Sequence, residues 1–576
     1  MTDYRAEYQR WLDSPALNEC EWRELNEIQN DEKEIEGRFF APLEFGTAGL
    51  RGTMKVGLHH MNVHVVRHAS QAFANVIAAE GAAARAAGVV VCYDCRNNSA
   101  RFALETACVM AANGIHVRLF DALRPTPELS FAIRHYGAQA GVNVTASHNT
   151  KEYNGYKVYW SDGAQLPPAK AAAIAAEMER IDIFTGFRSM EPQDAQDQGL
   201  LEYIGAETDE AFLEQVLAQA IDHEAVAQAA DKLKIVYTPF HGAGHKLVPE
   251  TLRRLGIRQL FPEPQQMVID GDFPTVVSPN PENPEGFALA VELARQVDSD
   301  LIIGTDPDSD RIGCLARRGD DYLPISGNQM GVLLLDYVIQ AKRRTGTLPE
   351  RPGALKTIVS TEMARTVAER NGVHIEDTFT GFKFMAERIA QWESEDSFRY
   401  LFAYEESYGY MMGDYVRDKD AVTASMMVAE MAAYYSGQGM TLLDAMDALY
   451  EKYGNYAERT LNLVMPGLDG LNRMRQIMDR LRREPLAEIA GVEVNRVRDY
   501  QNGSVSVHGL GVVGETHIRG SNVLYFELAD GSSFIIRPSG TEPKIKIYLL
   551  VRDASQALCQ EKIARYAAFA ETLKEI

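Results

Sequence analysis

Three stretches of the chain share one pattern of hydrophobic and polar positions. Each starts with an apolar run typical of a buried strand, continues through a polar turn into an amphipathic helical pattern, and ends in a second short apolar run. The three stretches are 89–120, 234–261 and 356–379. Strand–helix–strand repetition favours parallel or mixed sheets covered by helices, so the pattern predicts three α/β domains.

A glycine closes each of the three helical segments. Glycine adopts the left-handed conformation just past a helix end at low cost, so it marks where a helix can stop. The glycines in question are Gly114, Gly256 and Gly372.

The last part of the chain has a different pattern. Two alternating strand patterns flank Asp530 and Gly531, a residue pair typical of a hairpin turn. Another strand pattern covers 544–553, and a helical pattern begins at about Ala554. We therefore expect a separate, smaller α+β domain at the carboxyl end.

The length of 576 residues fits about four domains, since a domain averages ~150 residues. The expected boundaries are 1–207, 208–325, 326–452 and 453–576, for domains I to IV. The predicted fold class is α/β, with three related α/β domains that have mixed sheets and one C-terminal α+β domain. No low-complexity tract or long linker separates the domains, so we expect them to pack around a shared cleft.

The composition of the chain mainly excludes classes of protein and of partner. The net charge is −23 and no basic run compensates for it, so nucleic acid is not an expected partner. Six cysteines are too few for a disulfide framework, and neither a signal peptide nor a long apolar run is evident. These features favour a soluble cytoplasmic protein without a membrane partner. An anionic substrate would then need a local cluster of Arg, Lys, backbone N–H groups or metal.

The first constellation with candidate chemistry is the run Thr-Ala-Ser-His-Asn at 145–149, followed by Asn-Gly-Tyr-Lys at 154–157. An apolar run leads into this polar turn, which would expose Ser147 at the end of a strand. Ser, His and Asn are also ordinary turn formers. A Ser/His hydrolase is disfavoured, because Ser147 and His148 are adjacent and adjacent side chains rarely face each other, and no G-x-S-x-G elbow is present.

The second constellation is the run Gly-Thr-Asp-Pro-Asp-Ser-Asp-Arg at 304–311. The carboxylates of Asp306, Asp308 and Asp310, placed at alternate positions of an extended loop, would point to one side and suit a hard cation. A calcium loop of the EF-hand type would need Gly and Glu where Arg311 and Arg317 stand. Three unpaired carboxylates would repel, and Arg311 alone could not neutralise them, so a metal site is favoured over a solvated acidic loop.

Three further runs are weaker signals. Arg-Pro-Ser-Gly-Thr-Glu-Pro-Lys at 537–544 could cradle a phosphate through Arg, hydroxyl and N–H contacts, or could be a tight turn between strands. Tyr-Glu-Glu-Ser-Tyr-Gly-Tyr at 404–410 offers carboxylates and hydroxyls suited to sugar hydroxyls. Phe-Gly-Thr-Ala-Gly-Leu-Arg-Gly at 45–52 offers an arginine among glycines, suited to an anion.

Together these runs resemble the α-D-phosphohexomutase superfamily, which includes phosphoglucomutases and phosphomannomutases. The four runs that begin at Thr145, Gly304, Tyr404 and Arg537 resemble, in the family's order, its phosphoserine, metal, sugar-recognition and phosphate loops. The length of the chain and the run at 45–52 are most similar to the long branch, with bacterial phosphoglucomutases and phosphopentomutase-like enzymes. The resemblance implies a heart-shaped molecule with a central cleft and a fourth domain of the TATA-binding-protein-like kind.

The resemblance also implies roles for individual residues. The implied catalytic residues are Ser147, which would carry the phosphoryl group, His148, Lys157 and Arg51. The implied ligands of Mg²⁺ are a phosphoserine oxygen on Ser147 with Asp306, Asp308 and Asp310. The implied substrate-binding residues are Arg311, Gly381, Lys383, Glu405, Ser407 and Lys419. The implied phosphate-binding residues are Arg537, Ser539, Gly540 and Thr541.

The function expected from the resemblance is interconversion of glucose 1-phosphate and glucose 6-phosphate, an intramolecular phosphoryl transfer. It would proceed through phospho-Ser147 and a bisphosphorylated sugar, with glucose 1,6-bisphosphate as activator and a monomer or weak dimer as the working form. Phosphomannomutase, phosphopentomutase, a glucose-1,6-bisphosphate synthase and a non-catalytic sugar-phosphate sensor stay open as alternatives. Many relatives have glycine around the E-x-S core of the sugar loop. The bulkier Tyr404 and Tyr408 are expected to narrow this loop and could favour a smaller ring.

Overall fold

A computed structural model of the protein describes residues 3–465, 470–539 and 544–575. These residues divide into two compact units. The first unit lies within 1–325, 386–391 and 408–441, and the second within 326–385, 392–407 and 442–576.

The first 325 residues alternate between helices and short strands. Their helices are α1 (Tyr4–Leu12), α2 (Glu19–Glu27), α3 (Glu32–Phe39), α4 (Val63–Ala79), α5 (Ala82–Ala87), α6 (Ser99–Ala112), α7 (Thr126–His135), α8 (Pro168–Arg180), α9 (Pro192–Asp197), α10 (Ala206–Leu217), α11 (His223–Ala229), α12 (Gly244–Leu255) and α13 (Ala288–Val297). Their strands are β1 (Leu50–Thr53), β2 (Val89–Tyr93), β3 (Val117–Phe120), β4 (Ala140–Val144), β5 (Tyr153–Trp160), β6 (Leu201–Ile204), β7 (Lys234–Thr238), β8 (Gln259–Pro262), β9 (Leu301–Thr305), β10 (Ile312–Arg318) and β11 (Asp321–Ile325).

The rest of the chain continues the alternation and then turns strand-rich. Its helices are α14 (Gly327–Arg344), α15 (Met363–Arg370), α16 (Phe382–Glu395), α17 (Ala421–Ser436), α18 (Leu442–Tyr453), α19 (Gly470–Arg483) and α20 (Gln556–Thr572). Its strands are β12 (Pro352–Thr357), β13 (His374–Thr378), β14 (Arg399–Glu405), β15 (Gly409–Met411), β16 (Asn455–Val464), β17 (Glu488–Ile489), β18 (Val492–Asp499), β19 (Ser504–Val507), β20 (Gly511–Glu515), β21 (Leu524–Leu528), β22 (Ser533–Pro538) and β23 (Lys544–Asp553).

The three predicted strand–helix–strand repeats are confirmed. In β2–α6–β3, β7–α12–β8 and β12–α15–β13 the two strands are parallel neighbours, as a crossover helix requires. The glycine after each helix has the expected left-handed conformation, with φ of +70° at Gly114, +119° at Gly256 and +69° at Gly372.

The first unit contains two mixed sheets. The six-stranded sheet has the order β1-β5-β4-β2-β3-β6, and its parallel strands β4, β2, β3 and β6 are joined by the antiparallel pair β5 and β1. The five-stranded sheet has the order β11-β10-β9-β7-β8, in which β10 and β11 are antiparallel. Mixed sheets of this kind agree with the predicted fold class.

The second unit contains a parallel group of strands in the order β13-β12-β14 and a large antiparallel sheet. That sheet has the order β16-β23-β22-β21-β18-β19-β20, with β17 paired to β18. The predicted hairpin at Asp530 and Gly531 joins β21 to β22, with Leu524 opposite Ile536. The predicted last helix is α20, which begins after an N-cap at Ser555. The expectation of a fourth, sheet-rich domain is therefore confirmed.

Helices α1 to α3 were not anticipated from the sequence. They add Trp11, Leu25 and Phe39 to the hydrophobic core that backs the six-stranded sheet. The signal was nevertheless present, because Asn18 and Glu21 form a capping box at the start of α2.

In the described part of the chain, no helix combines the length and the apolar character that a membrane span requires.

Candidate active site

Ser147 lies three residues beyond the end of β4, at a strand end as predicted but buried rather than exposed, and its backbone is strained. Its φ of +52° is in the left-handed region, which a residue with a side chain adopts rarely. Its N–H donates to Thr145 Oγ1 at 2.8 Å, and Thr145 in turn donates to Asp94 at 2.6 Å. Ser147 is only 3% exposed. The strained turn therefore fixes the orientation of the nearly buried Ser147 hydroxyl.

Arg96 holds the serine loop from behind. The buried guanidinium lies 3.2 Å from the carboxylate of Asp94. It donates to four backbone carbonyl oxygens, those of Ser147 (2.6 Å), Thr150 (2.8 Å) and Asn149 in the loop and that of Tyr153 (3.0 Å) at the start of β5. Buried carbonyl groups need such partners, and a planar guanidinium can serve several at once. Sequence reasoning missed Arg96, although it stands in the polar turn after strand β2.

Gly155 allows β5 to pass close behind the same loop. A Cβ at this position would lie 2.5 Å from the carbonyl oxygen of Thr145 and 2.9 Å from that of Leu50. Only glycine fits without displacing backbone, so the loop and β5 are fixed against each other.

The aspartate loop after β9 differs from the extended loop that was expected. It is a tight turn, in which Ser309 has a φ of +52° and donates its N–H to the carbonyl of Asp306 at 2.8 Å. Asp306 Oδ1 accepts the N–H groups of Asp310 and Arg311, each at 3.0 Å. These local hydrogen bonds favour a turn over an extended strand, because an aspartate side chain can satisfy the backbone two to five residues on.

The turn still brings the three carboxylates together. Oxygens of Asp306, Asp308 and Asp310 lie within 4.8 Å of one another, and all three residues are fully buried. Lys157 donates to Asp308 at 2.6 Å and to Asp310 at 3.2 Å, and Lys419 lies 2.8 Å from Asp310. As expected, Arg311 alone does not neutralise the cluster: two lysines distant in sequence share this task, and Arg311 Nε lies 3.9 Å from Asp310 Oδ1.

One oxygen of Asp308 and one of Asp310 have no hydrogen-bond partner. Both are Oδ1 atoms, and both are buried. Buried carboxylate oxygens in this state are costly unless a cation approaches them. The donor set consists entirely of oxygens, which suits Mg²⁺. The residues present therefore fit a metal ion.

The pKa values of the aspartates reflect the excess of negative charge in the cluster. Burial raises the pKa of Asp306 well above its usual value, and the neighbouring charges of Asp308 and Asp310 raise it further. Burial acts the same way on Asp308, but the charge of Lys157 outweighs it and lowers the pKa of Asp308. Without a further cation the cluster is thus unfavourable in its fully ionised form.

Ser147 reaches both the aspartate turn and its own neighbour. Its hydroxyl donates to Asp306 Oδ2 at 2.8 Å and lies 3.2 Å from His148 Nδ1. The expectation that adjacent side chains would not face each other is wrong here, because the positive φ of Ser147 rotates the two side chains together. Burial and the charges of Arg311 and Arg51 lower the pKa of His148 well below its usual value, so the imidazole is neutral at pH 7.

Arg51 and Arg311 lie at the edge of this cluster. Arg51, in β1, is exposed and donates to Asn149 Oδ1 at 3.0 Å. Arg311 lies 3.4 Å from Glu282. The first unit thus brings together Ser147, His148, Lys157, Arg51, Asp306, Asp308, Asp310, Arg311 and Lys419.

The remaining predicted residues that the structure describes lie in the second unit. Glu405 ends β14 and accepts the N–H of Gly381 at the start of α16. The ammonium of Lys383 lies 4.8 Å from the ring centre of Phe384. Ser407 is half-buried in the turn that follows Glu405. Glu405, Gly381 and Ser407 therefore form one local group.

Tyr404 does not narrow the sugar loop, contrary to expectation. Its ring is fully buried and packs on α14, where a Cβ on Gly331 would lie 2.3 Å from it. Because side chains alternate along a strand, Tyr404 and Glu405 point to opposite faces of β14. The aromatic residue belongs to the core and does not line the side of β14 that carries Glu405.

The phosphate-loop arginine lies on β22. Arg537 is half-buried and stands opposite Lys546 of β23. Burial and the charge of Glu406 raise the pKa of Tyr548, while the charge of Arg537 and a hydrogen bond from it act in the opposite direction. Ser539 donates its N–H to the carbonyl of Lys544 at 2.9 Å. Gly540 and Thr541 lie outside the described residues.

Comparison with known protein families matches three models along the chain. Domain I of phosphoglucomutase/phosphomannomutase matches residues 42–183, domain II matches 210–319 and domain III matches 326–453. A phosphoglucomutase of Staphylococcus saprophyticus is 34% identical over 543 residues, which cover 93% of this chain and 95% of that protein. A phosphoglucomutase of Staphylococcus aureus strain N315 is 34% identical over 94% of this chain and 95% of its own length.

Solved structures show the same fold. A phosphoglucomutase/phosphomannomutase family protein from Burkholderia thailandensis has a TM-score of 0.65 and 18% identity, covering 92% of this chain and 97% of that one. Parafusin from Paramecium, in its open form, has a TM-score of 0.66 and 18% identity, covering 93% and 95%. The chain belongs to the phosphoglucomutase/phosphomannomutase family. The resemblance drawn from the four sequence runs is confirmed, and the enzyme class expected from it agrees with the names of these relatives.

Arg96→Lys should lower kcat for phosphosugar isomerisation by roughly 10–100-fold, because a lysine keeps the charge beside Asp94 but cannot hold four carbonyls, and a small displacement of a reacting group is costly. Steady-state kinetics and a thermal unfolding curve check this. Arg101→Lys, at an exposed position of α6, is the matched control and should keep the wild-type rate. An unchanged kcat in Arg96→Lys would show that Ser147 needs no support from this side chain.

Proposed function

We propose that the protein interconverts glucose 1-phosphate and glucose 6-phosphate through a phosphoryl group carried on Ser147 and a bisphosphorylated sugar intermediate. The observation that carries the proposal is the position of the Ser147 hydroxyl. It is held by a strained turn, nearly buried, and 2.8 Å from one carboxylate of the aspartate cluster. Phosphoryl transfer depends on such positioning and on charge neutralisation more than on covalent chemistry.

Asp306, Asp308 and Asp310, with a phosphoserine oxygen on Ser147, would hold Mg²⁺. The ion would supply positive charge beside the transferring phosphoryl group. The Oδ1 atoms of Asp308 and Asp310, which have no hydrogen-bond partner, and the oxygen-only donor set support this assignment.

Within the first unit, the charges suggest how protons are handled. The neutral imidazole of His148 is 3.2 Å from Ser147 Oγ and could accept the proton of the sugar hydroxyl that receives the phosphoryl group. Burial opposes the charge of Lys157, but Asp308 and Asp310 outweigh it and raise its pKa, so this lysine stays protonated. Lys157 would therefore act as a donor and a counter-charge, while Arg51, Arg311 and Lys419 would offset the charge of the phosphosugar.

Residues of the second unit would bind the rest of the substrate. Glu405 and Ser407 would hold neighbouring sugar hydroxyls, with Gly381 and Lys383 beside them. The phosphate that is not transferred would be held by Arg537, Ser539, Gly540 and Thr541. The bisphosphorylated intermediate must turn over between the two half-reactions, and glucose 1,6-bisphosphate would activate the enzyme by restoring phospho-Ser147.

The broader setting of this activity follows from the same proposal. The partner is a small phosphosugar, the working form a monomer or weak dimer, and the compartment the cytoplasm. The domains would be 1–207, 208–325, 326–452 and 453–576, which carry the phosphoserine, metal, sugar and phosphate loops in that order. The names of the staphylococcal relatives support glucose as the sugar.

Ser147→Ala should lower turnover by at least roughly 10³-fold, since removal of a nucleophile removes the covalent route. Intact-protein mass spectrometry after incubation with glucose 1,6-bisphosphate should show one added phosphate on the wild type and none on the variant. Ser70→Ala is a matched control, because Ser70 is a buried serine of the same unit whose hydroxyl, among the described residues, bonds Thr106 and Tyr156. A Ser147→Ala protein that isomerises at near-normal rate would remove Ser147 from the mechanism.

Glucose 1-phosphate should have the highest kcat/KM in a panel with mannose 1-phosphate and ribose 1-phosphate, by roughly 10-fold or more, because a site built to bond a hydroxyl rejects sugars that lack or misplace it. Glu405→Gln should reduce this preference, while Glu369→Gln, at an exposed position of α15, should not. Preference for the pentose would overturn the choice of sugar and leave the role of Ser147 intact.

A further inference from the structure

Thr126 is the first residue of α7 and contacts the aspartate cluster. Its side chain is fully buried, and its hydroxyl donates to Asp308 Oδ2 at 2.8 Å. The two residues are 182 positions apart in sequence. The start of α7 is thereby tied to the aspartate turn after β9.

The hydrogen bond settles which way the Asp308 carboxylate faces. Oδ2 accepts from both Thr126 and Lys157, at 2.8 and 2.6 Å, while Oδ1 is buried without a partner. Lys157 alone could not fix the rotation, because it also donates to Asp310 and its ammonium can turn about its stem. With two donors on one oxygen, the other oxygen is left to face the centre of the cluster.

A second residue fixes the direction of the threonine hydroxyl. The Nδ2 of Asn143 donates to Thr126 Oγ1 at 2.7 Å, so the threonine proton is left to point at Asp308. Asn143 is a fully buried residue of β4, the strand that leads into Ser147. The chain Asn143–Thr126–Asp308 therefore joins the serine strand to the metal-loop carboxylate.

We propose that Thr126 is a positioning residue that orients Asp308 Oδ1 toward the bound cation, with Asn143 holding Thr126 in turn. The proposal rests on the cation site described under the proposed function. Groups of this kind, which hydrogen-bond the ligands of a metal, commonly contribute 10–100-fold to metal affinity.

The side-chain role can be separated from the backbone role of the same residue. The N–H of Thr126 also donates to the carbonyl oxygen of Asp308, at 2.8 Å. Any residue except proline keeps this backbone bond, so Thr126→Val removes only the hydroxyl at nearly constant shape. Thr126→Ala removes the same hydroxyl with less apolar bulk beside the carboxylate, and Thr126→Ser restores it.

The test is the affinity of metal-free, full-length protein for Mn²⁺, measured by electron paramagnetic resonance, together with kcat and KM at saturating metal. Thr126→Val and Thr126→Ala should bind Mn²⁺ roughly 10–100-fold more weakly than the wild type. Thr126→Ser should bind within about threefold of it, as expected when the hydroxyl alone is responsible. Thr208→Val is the matched control, because Thr208 is also buried in the first turn of a helix but bonds Tyr136, and its affinity should not change.

The outcomes distinguish the positioning role of Thr126 from the cation site on which it rests. Wild-type Mn²⁺ affinity in both Thr126→Val and Thr126→Ala would overturn the positioning role while the cation site stands. A wild-type protein that binds no Mn²⁺ would instead overturn the cation site itself. Equal losses in Thr126→Ser and Thr126→Val would also contradict the proposal, since the hydroxyl would then not be the cause.

Discussion

The structure of the site depends on the burial of three carboxylates within 4.8 Å of one another. Like charges at this separation in a poorly solvated interior repel strongly, so the arrangement needs compensating positive charge. Lys157 and Lys419 supply part of it directly. The Oδ1 atoms of Asp308 and Asp310, which accept no hydrogen bond, define where a further cation fits. The hydroxyl of Ser147, in the strained turn, donates to Asp306, the third aspartate. The serine and the cation site therefore form one cluster.

The sheets of the first unit explain why the cluster can form from distant parts of the chain. Ser147 follows strand β4 and the aspartates follow β9, so both loops lie at the carboxyl ends of strands that run parallel to a neighbour, where α/β folds place their sites. Lys157 returns on β5, which runs antiparallel to β4 with Lys157 opposite Asn143. The register between β4 and β5 thus places Lys157 beside the serine loop that joins these two strands.

The sequence predicted those parts of the site that a local sequence pattern marks. An apolar run followed by a polar turn marked Ser147 and the three aspartates, and glycines after helices marked the three repeats. The partners of these residues could not be predicted in the same way, because Lys157 and Asp308 are 151 positions apart and Thr126 and Asp308 are 182 apart. Such pairs depend on sheet order and register, which local periodicity does not determine. Tyr404 was misjudged for a related reason, since the face to which it points is decided by its packing on Gly331 of α14.

The most direct test of the account is an anomalous diffraction map from crystals of the protein soaked with Mn²⁺. The account predicts one strong peak in the first unit, about 2.1 Å from Asp308 Oδ1 and Asp310 Oδ1 and bonded also to Asp306, at the distance of a hard octahedral cation. Occupancy should be lost in Asp310→Asn crystals of the same form. A fully occupied Mn²⁺ elsewhere in the protein, with the three aspartates free of metal, would contradict it.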